Sequence, residues 1–239
     1  MKLLDSIKVH ESYNDFFSYE ILSELEIIES EIGDDLNPNI DLALRFLEKD
    51  IADIKVVILG QDPYPQKGVA TGRAFEVGGL NKWTDKFRQV SLKNIVRLLY
   101  KNYNDIENYE DIKKFSEIKP VIENSKFKIL PPNELFENWE NQGVLLLNAT
   151  FTLLPGKSNS HEKIWANFSD ELIKYISQEN NNISWFLWGN FSIKKGRNIV
   201  EGMKYESNHP MMCSAKKDKD FLKSNCFKNT MDIINWLGK

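Results

Sequence analysis

The 239 residues include 31 Lys and Arg against 35 Asp and Glu, a formal charge of −4, with 41% hydrophobic side chains. A chain of that length and composition buries one core, so a single domain over 1–239 is expected, and its acidic balance excludes a protein that coats nucleic acid through a uniformly basic surface. With only two cysteines, Cys213 and Cys226, no run of about 18 apolar residues and no apolar signal segment at the start, a disulfide-stapled or membrane-spanning protein is disfavoured; a cytoplasmic, reducing location with no membrane partner is expected.

Asn14–Ser30 mixes apolar and acidic residues at helical spacing, and Asn39–Lys49 does so again after Pro38, which predicts two N-terminal helices within 1–50. Ile54–Leu59 is a β-branched run closed by Gly60, the pattern of a buried strand. Leu92–Tyr100 is helical in period, whereas 102–141 is rich in Asn, Glu and Lys, weakly periodic, and expected to be a surface excursion. Val144–Leu147 and Ile183–Trp188 repeat the buried-strand pattern, the second closed by Gly189, and Tyr205–Asn208 is a weaker fourth strand. Helical patterns occupy Ile164–Ser177, Ser192–Val200 and Phe227–Leu237. Strands that alternate with helices pair in parallel through crossovers, so the expected fold is α/β: a three-layer α/β/α sandwich around a central, mostly parallel four-stranded sheet.

The unusual polar residues fall just after the strands: Gln61-Asp62-Pro63-Tyr64, Asn148, Gly189-Asn190 and His209-Pro210. Open α/β sheets bind ligands outside the carboxyl ends of their strands, so these residues are expected to converge on one pocket holding a carboxylate, an amide, an imidazole and a tyrosine. That set suits hydrolysis of a polar heterocycle. Gly60 stands alone where a phosphate-binding loop needs several spaced glycines, so nucleotide cofactors are disfavoured. His10, His161 and His209 share no ligand-like spacing with one another or with the cysteines, and no metal is expected.

Several short segments then fall into a series. Gly60-Gln61-Asp62-Pro63-Tyr64, Gly72 to Phe75, Ser91-Leu92-Lys93-Asn94-Ile95, Gln142 to Ala149, Asn159-Ser160-His161, Leu187-Trp188-Gly189, Lys194-Lys195-Gly196, His209-Pro210 and Ser214 resemble, in order, the motifs of family 1 uracil-DNA glycosylases. The resemblance spans roughly Ile54–Trp236 and leaves the N-terminal helices and 102–141 uncovered. It implies a monofunctional DNA-repair hydrolase that flips uracil out of single- or double-stranded DNA and cleaves its bond to deoxyribose, leaving an abasic site, as a monomer and without cofactor or metal. It also implies a proteinaceous glycosylase inhibitor as a candidate partner.

Breaking that bond separates charge, positive on the sugar and negative on the departing base. By the resemblance Asp62 serves the sugar end and orients water, while His209 donates a hydrogen bond to the base oxygen as a neutral imidazole. An arbitrary Asp before Pro would more often make a turn, and a lone His after a strand is usually structural; their place at the expected pocket weighs the other way. Asn148 offers one donor and one acceptor that match uracil and mismatch cytosine, Phe75 a face for the base to stack on, and Tyr64 bulk where thymine carries its methyl group. The backbone N–H of Gln61 adds a donor to the leaving oxygen. Ser91, Gly189, Asn190, Pro210, Met212, Cys213 and Ser214 are the expected DNA contacts, near a cluster of Lys194, Lys195, Arg197, Lys216, Lys217, Lys219 and Lys223.

Pro65, Asn190 and Met211-Met212-Cys213 depart from the family pattern, and Asp85 to Val90 replaces a proline-rich loop. The simplest alignment puts Cys213 where the family has a bulky leucine wedge, with Met212 as the rival if the loop is shifted by one residue. The departures keep two alternatives in view: a glycosylase for another modified base, and a DNA-binding or processivity subunit that retains the fold.

Overall fold

A computed structural model describes residues 2–238. Its elements in chain order are α1 (Lys2–Asp5), α2 (Tyr19–Ile32), α3 (Ile40–Ala43), β1 (Val56–Gly60), α4 (Val90–Tyr103), α5 (Phe115–Glu123), α6 (Pro132–Asn141), β2 (Val144–Asn148), α7 (Ala166–Glu179), β3 (Ser184–Trp188), α8 (Asn190–Lys195) and β4 (Met203–Ser207). The four strands form one parallel sheet in the order β2-β1-β3-β4. Gly60 pairs with Asn148, Leu59 with Leu187 and Trp188 with Ser207, so the carboxyl ends of all four strands lie along one edge.

Alternation along the strands builds two cores. Val56, Ile58, Val144, Leu146, Phe186 and Trp188 face α4, α5 and α6, while Val57, Leu59, Leu145, Leu147, Trp185 and Leu187 face α2 and α7. Because both faces are covered, β1, β2 and β3 are near-continuous apolar runs, interrupted only by Ser184 and Asn148 at strand ends, as the sequence pattern predicts. β4 lies at the sheet edge with Met203, Lys204 and Glu206 exposed, which is why its strand signal is weak. The expected α/β/α sandwich is the observed fold.

Four expectations need correction. The first helix begins at Tyr19 rather than Asn14, because the Ser18 side chain accepts the Ile21 N–H and caps it there. Asn39–Lys49 divides into α3 and a 3-10 turn over Arg45–Glu48, because Leu44 between them, at φ −116° and ψ 19°, leaves the helical conformation. The 102–141 segment is no surface excursion: it forms α5 and α6, and its Phe115, Ile118, Leu135, Phe136 and Trp139 belong to the core. Phe227–Leu237 is not a helix beyond the 3-10 turn at Lys228–Thr230. Ile234 and Trp236 are both fully buried two residues apart, off any common helical face, and the Trp236 indole N–H donates to Thr230 Oγ1 at 2.9 Å.

Candidate active site

β1 leaves the sheet toward the α4 face, whereas β2 and β3 lead to α7 and α8 on the opposite side. Loops that part in this way open a crevice at the strand ends. A cavity of about 390 Å³ occupies it, lined among others by Gln61, Asp62, Tyr64, Phe75, Asn148 and His209. All six residues expected to meet the base or carry the chemistry therefore border one cavity, although they come from four separate parts of the chain.

Asp62 accepts a hydrogen bond from the Asn159 N–H at 2.9 Å. Burial holds its carboxyl above the ordinary aspartate range and the nearby Glu162 charge adds to this, with the Asn159 N–H pulling the other way. Asn159 takes a positive φ of 60°, and its side chain accepts the Gln61 amide at 3.0 Å; Gln61 also reaches Glu162 at 3.3 Å. The segment that opens with Asn159 is thus folded back under the carboxylate.

Asn148 ends β2, buried against Gly60, where a β-carbon would collide with its side-chain oxygen. Among the described residues no hydrogen bond engages its side-chain amide, and the residue borders the cavity, so its donor and its acceptor are open to a ligand. Phe75 has a φ of 65° and tilts against Trp188, with ring centroids 5.3 Å apart, and its ring lies 6.2 Å from that of His209. The Tyr64 hydroxyl is buried without a partner among the described residues, and burial raises its pKa, so it stays a neutral phenol.

His209 Nδ1 accepts the backbone N–H of Met211 at 3.1 Å. That bond makes Nδ1 the acceptor and leaves Nε2 to carry the proton. Burial also lowers the pKa of the ring, which favours its neutral form. Gly189, at φ 94°, packs against this histidine; a β-carbon at position 189 would lie 2.9 Å from His209 Cβ.

The residues expected at the DNA divide. Ser91, in the first turn of α4, borders the cavity, and Asn190 is exposed at the start of α8. Pro210 is buried and its carbonyl accepts from the Asn94 amide at 2.5 Å, so it anchors the loop instead of presenting a side chain. Ser214 gives its N–H to Asp220 at 2.6 Å. Cys213 is turned inward: its thiol donates to the Pro210 carbonyl at 3.4 Å, packs on the core, and has a pKa pushed by burial up to about 12. The expectation that Cys213 is the wedge is therefore corrected. Met211 and Met212 project instead, 56% and 59% exposed, and Met211 borders the cavity. Among the basic residues, Lys195 is occupied by Asp170 at 2.7 Å, whereas Lys194, Arg197, Lys216, Lys219 and Lys223 are exposed.

One holding residue lies outside every segment singled out in the sequence. Buried Asn37 donates to the Tyr64 carbonyl at 2.6 Å, and its own backbone pairs with Leu153. Asn159 was visible only as part of a motif without a role. A contact between positions 27 residues apart leaves no periodic trace, so composition and spacing could not have found Asn37.

Comparison with known proteins gives a consistent family. The sequence model of the uracil DNA glycosylase superfamily matches residues 48–234. The uracil-DNA glycosylase of Borrelia turicatae is 37% identical over 186 residues, 76% of this chain and 70% of that protein. That of Francisella philomiragia is 34% identical over 208 residues, 83% of this chain and 82% of its own length. Among solved structures, the UNG of Nitratifractor salsuginis superposes with a TM-score of 0.65 at 22% identity, covering 88% of each chain. A mimivirus UNG variant in complex with UGI superposes with a TM-score of 0.62 at 23% identity, over 88% of this chain and 73% of its own. These two likenesses concern the fold.

Proposed function

Because the chain belongs to the uracil DNA glycosylase superfamily, we propose that its strand-end cavity takes up a flipped uracil and separates charge across the bond to deoxyribose. The reaction is uracil excision in DNA repair, a hydrolysis of an N-glycosyl bond. The observation that carries the site assignment is the convergence of Asp62, Asn148 and His209 on one cavity from three different strand ends.

Each role has support in the geometry. Asp62, held by the Asn159 N–H, supplies the negative charge that the cationic sugar needs and the acceptor that aligns the attacking water. His209, with Nδ1 occupied by Met211, keeps a proton on Nε2 for the oxygen of the leaving base without becoming an imidazolium. Asn148, bordering the cavity, provides one donor and one acceptor to the uracil edge; cytosine reverses that polarity and leaves both groups unsatisfied. Tyr64, fixed by Asn37 at its carbonyl, excludes the thymine methyl by bulk. The Gln61 N–H completes the donors to the base oxygen, and Phe75 receives the ring.

The sequence motifs after the strands support a reading of the chain as a family 1 member of the superfamily. Ser91, Asn190, Ser214 and the projecting Met212 serve the DNA, on one or two strands, and a proteinaceous inhibitor is a candidate partner, since a mimivirus UNG variant forms a complex with UGI. The protein acts as a monomer in the cytoplasm. Incubation with a uracil-containing oligonucleotide in the presence of chelator, followed by cleavage at abasic sites, tests the activity. Free uracil and a single scission at the uracil position are expected. An intact strand, or scission at a different base, would refute the assignment.

A further inference from the structure

Phe75 sits at φ 65°, a conformation that a bulky residue holds only where its surroundings impose it. The residues on either side supply that constraint. The Arg73 guanidinium donates through Nη1 to both Glu76 carboxylate oxygens, at 3.4 and 3.3 Å, so the pair spans the turn that contains Ala74 and Phe75. Through Nη2 it donates to Glu140 Oε2 at 2.7 Å, and Arg45 reaches the same oxygen at 3.3 Å. The three inner side chains are buried, 10%, 8% and 9% exposed for Arg73, Glu76 and Glu140. Two cations and two carboxylates make the cluster neutral. It joins the 3-10 turn at Arg45–Glu48, the turn carrying Phe75, and the last turn of α6.

Stability alone does not account for such a cluster. Burying three of the four charges costs desolvation, and replacing a buried ion pair by apolar side chains of similar volume is often neutral or stabilising. Arg73 Nε is also buried without a partner among the described residues, a further cost. What the planar guanidinium does supply is direction, because it grips two carboxylates on separate segments at a fixed angle. Arg73, Phe75 and Glu76 all border the base cavity. We infer that the Arg45, Arg73, Glu76 and Glu140 cluster fixes the ring of Phe75 for base stacking, with Arg73 as the positioning residue; this rests on the assignment of Phe75 as the platform for the flipped base.

The double variant Arg73→Met/Glu76→Gln removes one charge of each sign and leaves Arg45 paired with Glu140. Its thermal midpoint is expected to equal or exceed that of the wild type. Inhibition of excision by free uracil should nevertheless weaken about five-fold or more, the lower end of what a base-on-ring stack contributes, while affinity for uracil-free DNA stays unchanged. A merely structural role would move the midpoint and leave uracil inhibition alone. Wild-type uracil inhibition in the folded double variant overturns the inference. Arg73→Lys keeps the charge but loses the fork and should shift uracil inhibition in the same direction; wild-type inhibition there overturns the inference even if the double variant does not fold. Phe75→Ala separates the two claims. If it weakens uracil and the Arg73 variants do not, the positioning role alone fails; if Phe75→Ala leaves uracil inhibition unchanged, the platform assignment fails and the cluster's role with it.

Discussion

The pocket and the loop from Pro210 to Asp220 lie side by side, yet the first hangs from the ends of paired strands and the second from local turns and individual side-chain hydrogen bonds. Asn148 and Gly60 are register partners in the sheet, and Asp62 and Tyr64 follow within four residues of Gly60. The loop is tied by Asn94 to the Pro210 carbonyl, by Asp220 to the Ser214 N–H and by Lys217 to the Met212 carbonyl, while its tip residues stay exposed. The contrast teaches where chemistry and adaptation are separated. Groups that must meet a charge within tenths of an ångström sit within two residues of a strand end, and groups that press on a deformable duplex sit on a loop whose identity can drift.

The largest effects should fall in the pocket. Asp62→Asn and His209→Ala are each expected to slow single-turnover excision on the order of 100-fold to 1,000-fold, with DNA affinity nearly intact. Wild-type rates in either variant would break the contrast at its centre.

In the loop the expected losses are smaller and depend on substrate. Extruding a base costs a few kcal/mol, which an inserted apolar side chain offsets in part. Met212→Ala should therefore reduce excision several-fold on paired DNA and leave single-stranded uracil unaffected, whereas Cys213→Ala, an inward residue, should show no such strand dependence. Equal rates on both substrates in both variants would mean that this loop does not limit flipping.

A finer test uses acid. Asp62 must be ionised, and its carboxyl titrates above the ordinary aspartate range, so excision should begin to fall with decreasing pH while surface aspartates are still charged. Burial lowers the pKa of His209, so its ring takes up a proton later in that descent than an exposed histidine would. Stability carries the opposite sign. A carboxyl whose folded pKa is raised destabilises the native state while ionised, so Asp62→Asn should melt no lower than wild type at neutral pH, and any advantage should vanish as pH falls through the folded value. Parallel melting curves and pH–rate profiles on the two proteins would sharpen or remove this trade between function and stability.

Most of the fold was legible because a sheet covered on both faces writes near-continuous apolar runs, and three of the four strands have them. Ile112, Phe115, Ile118 and Trp139 escaped notice because each stands among Asn, Glu and Lys, so that α5 and α6 show a buried face only in three dimensions. The C-terminal segment misled for the reverse reason: its apolar spacing looks helical, but Thr230 bonds the Cys226 carbonyl and receives the Trp236 indole, which folds the chain into turns. The site divides in the same way. Gln61, Asp62, Tyr64, Phe75, Asn148 and His209 stand in short local motifs after strands. What holds them does not: Asn37 acts across 27 residues, Arg73 on Glu140 across 67 and Arg45 on Glu140 across 95, and no local pattern reports such distances. The two stretches outside the recognised motifs, at the N-terminus and in 102–141, turn out to brace the base pocket.

The close packing of Gly189 against His209 sets a boundary for anyone who would retune this enzyme by directed evolution. Every side chain larger than hydrogen at position 189 competes with the imidazole for its place, and the positive φ there penalises those side chains a second time. A mutant library spends its diversity to no effect at that codon. At Met211 and Met212, where side chains reach into solvent and little packs against them, the same diversity samples new grips on the duplex without disturbing the histidine's carbon frame. The molecule thus offers an evolvable rim around a centre that selection must leave as it is.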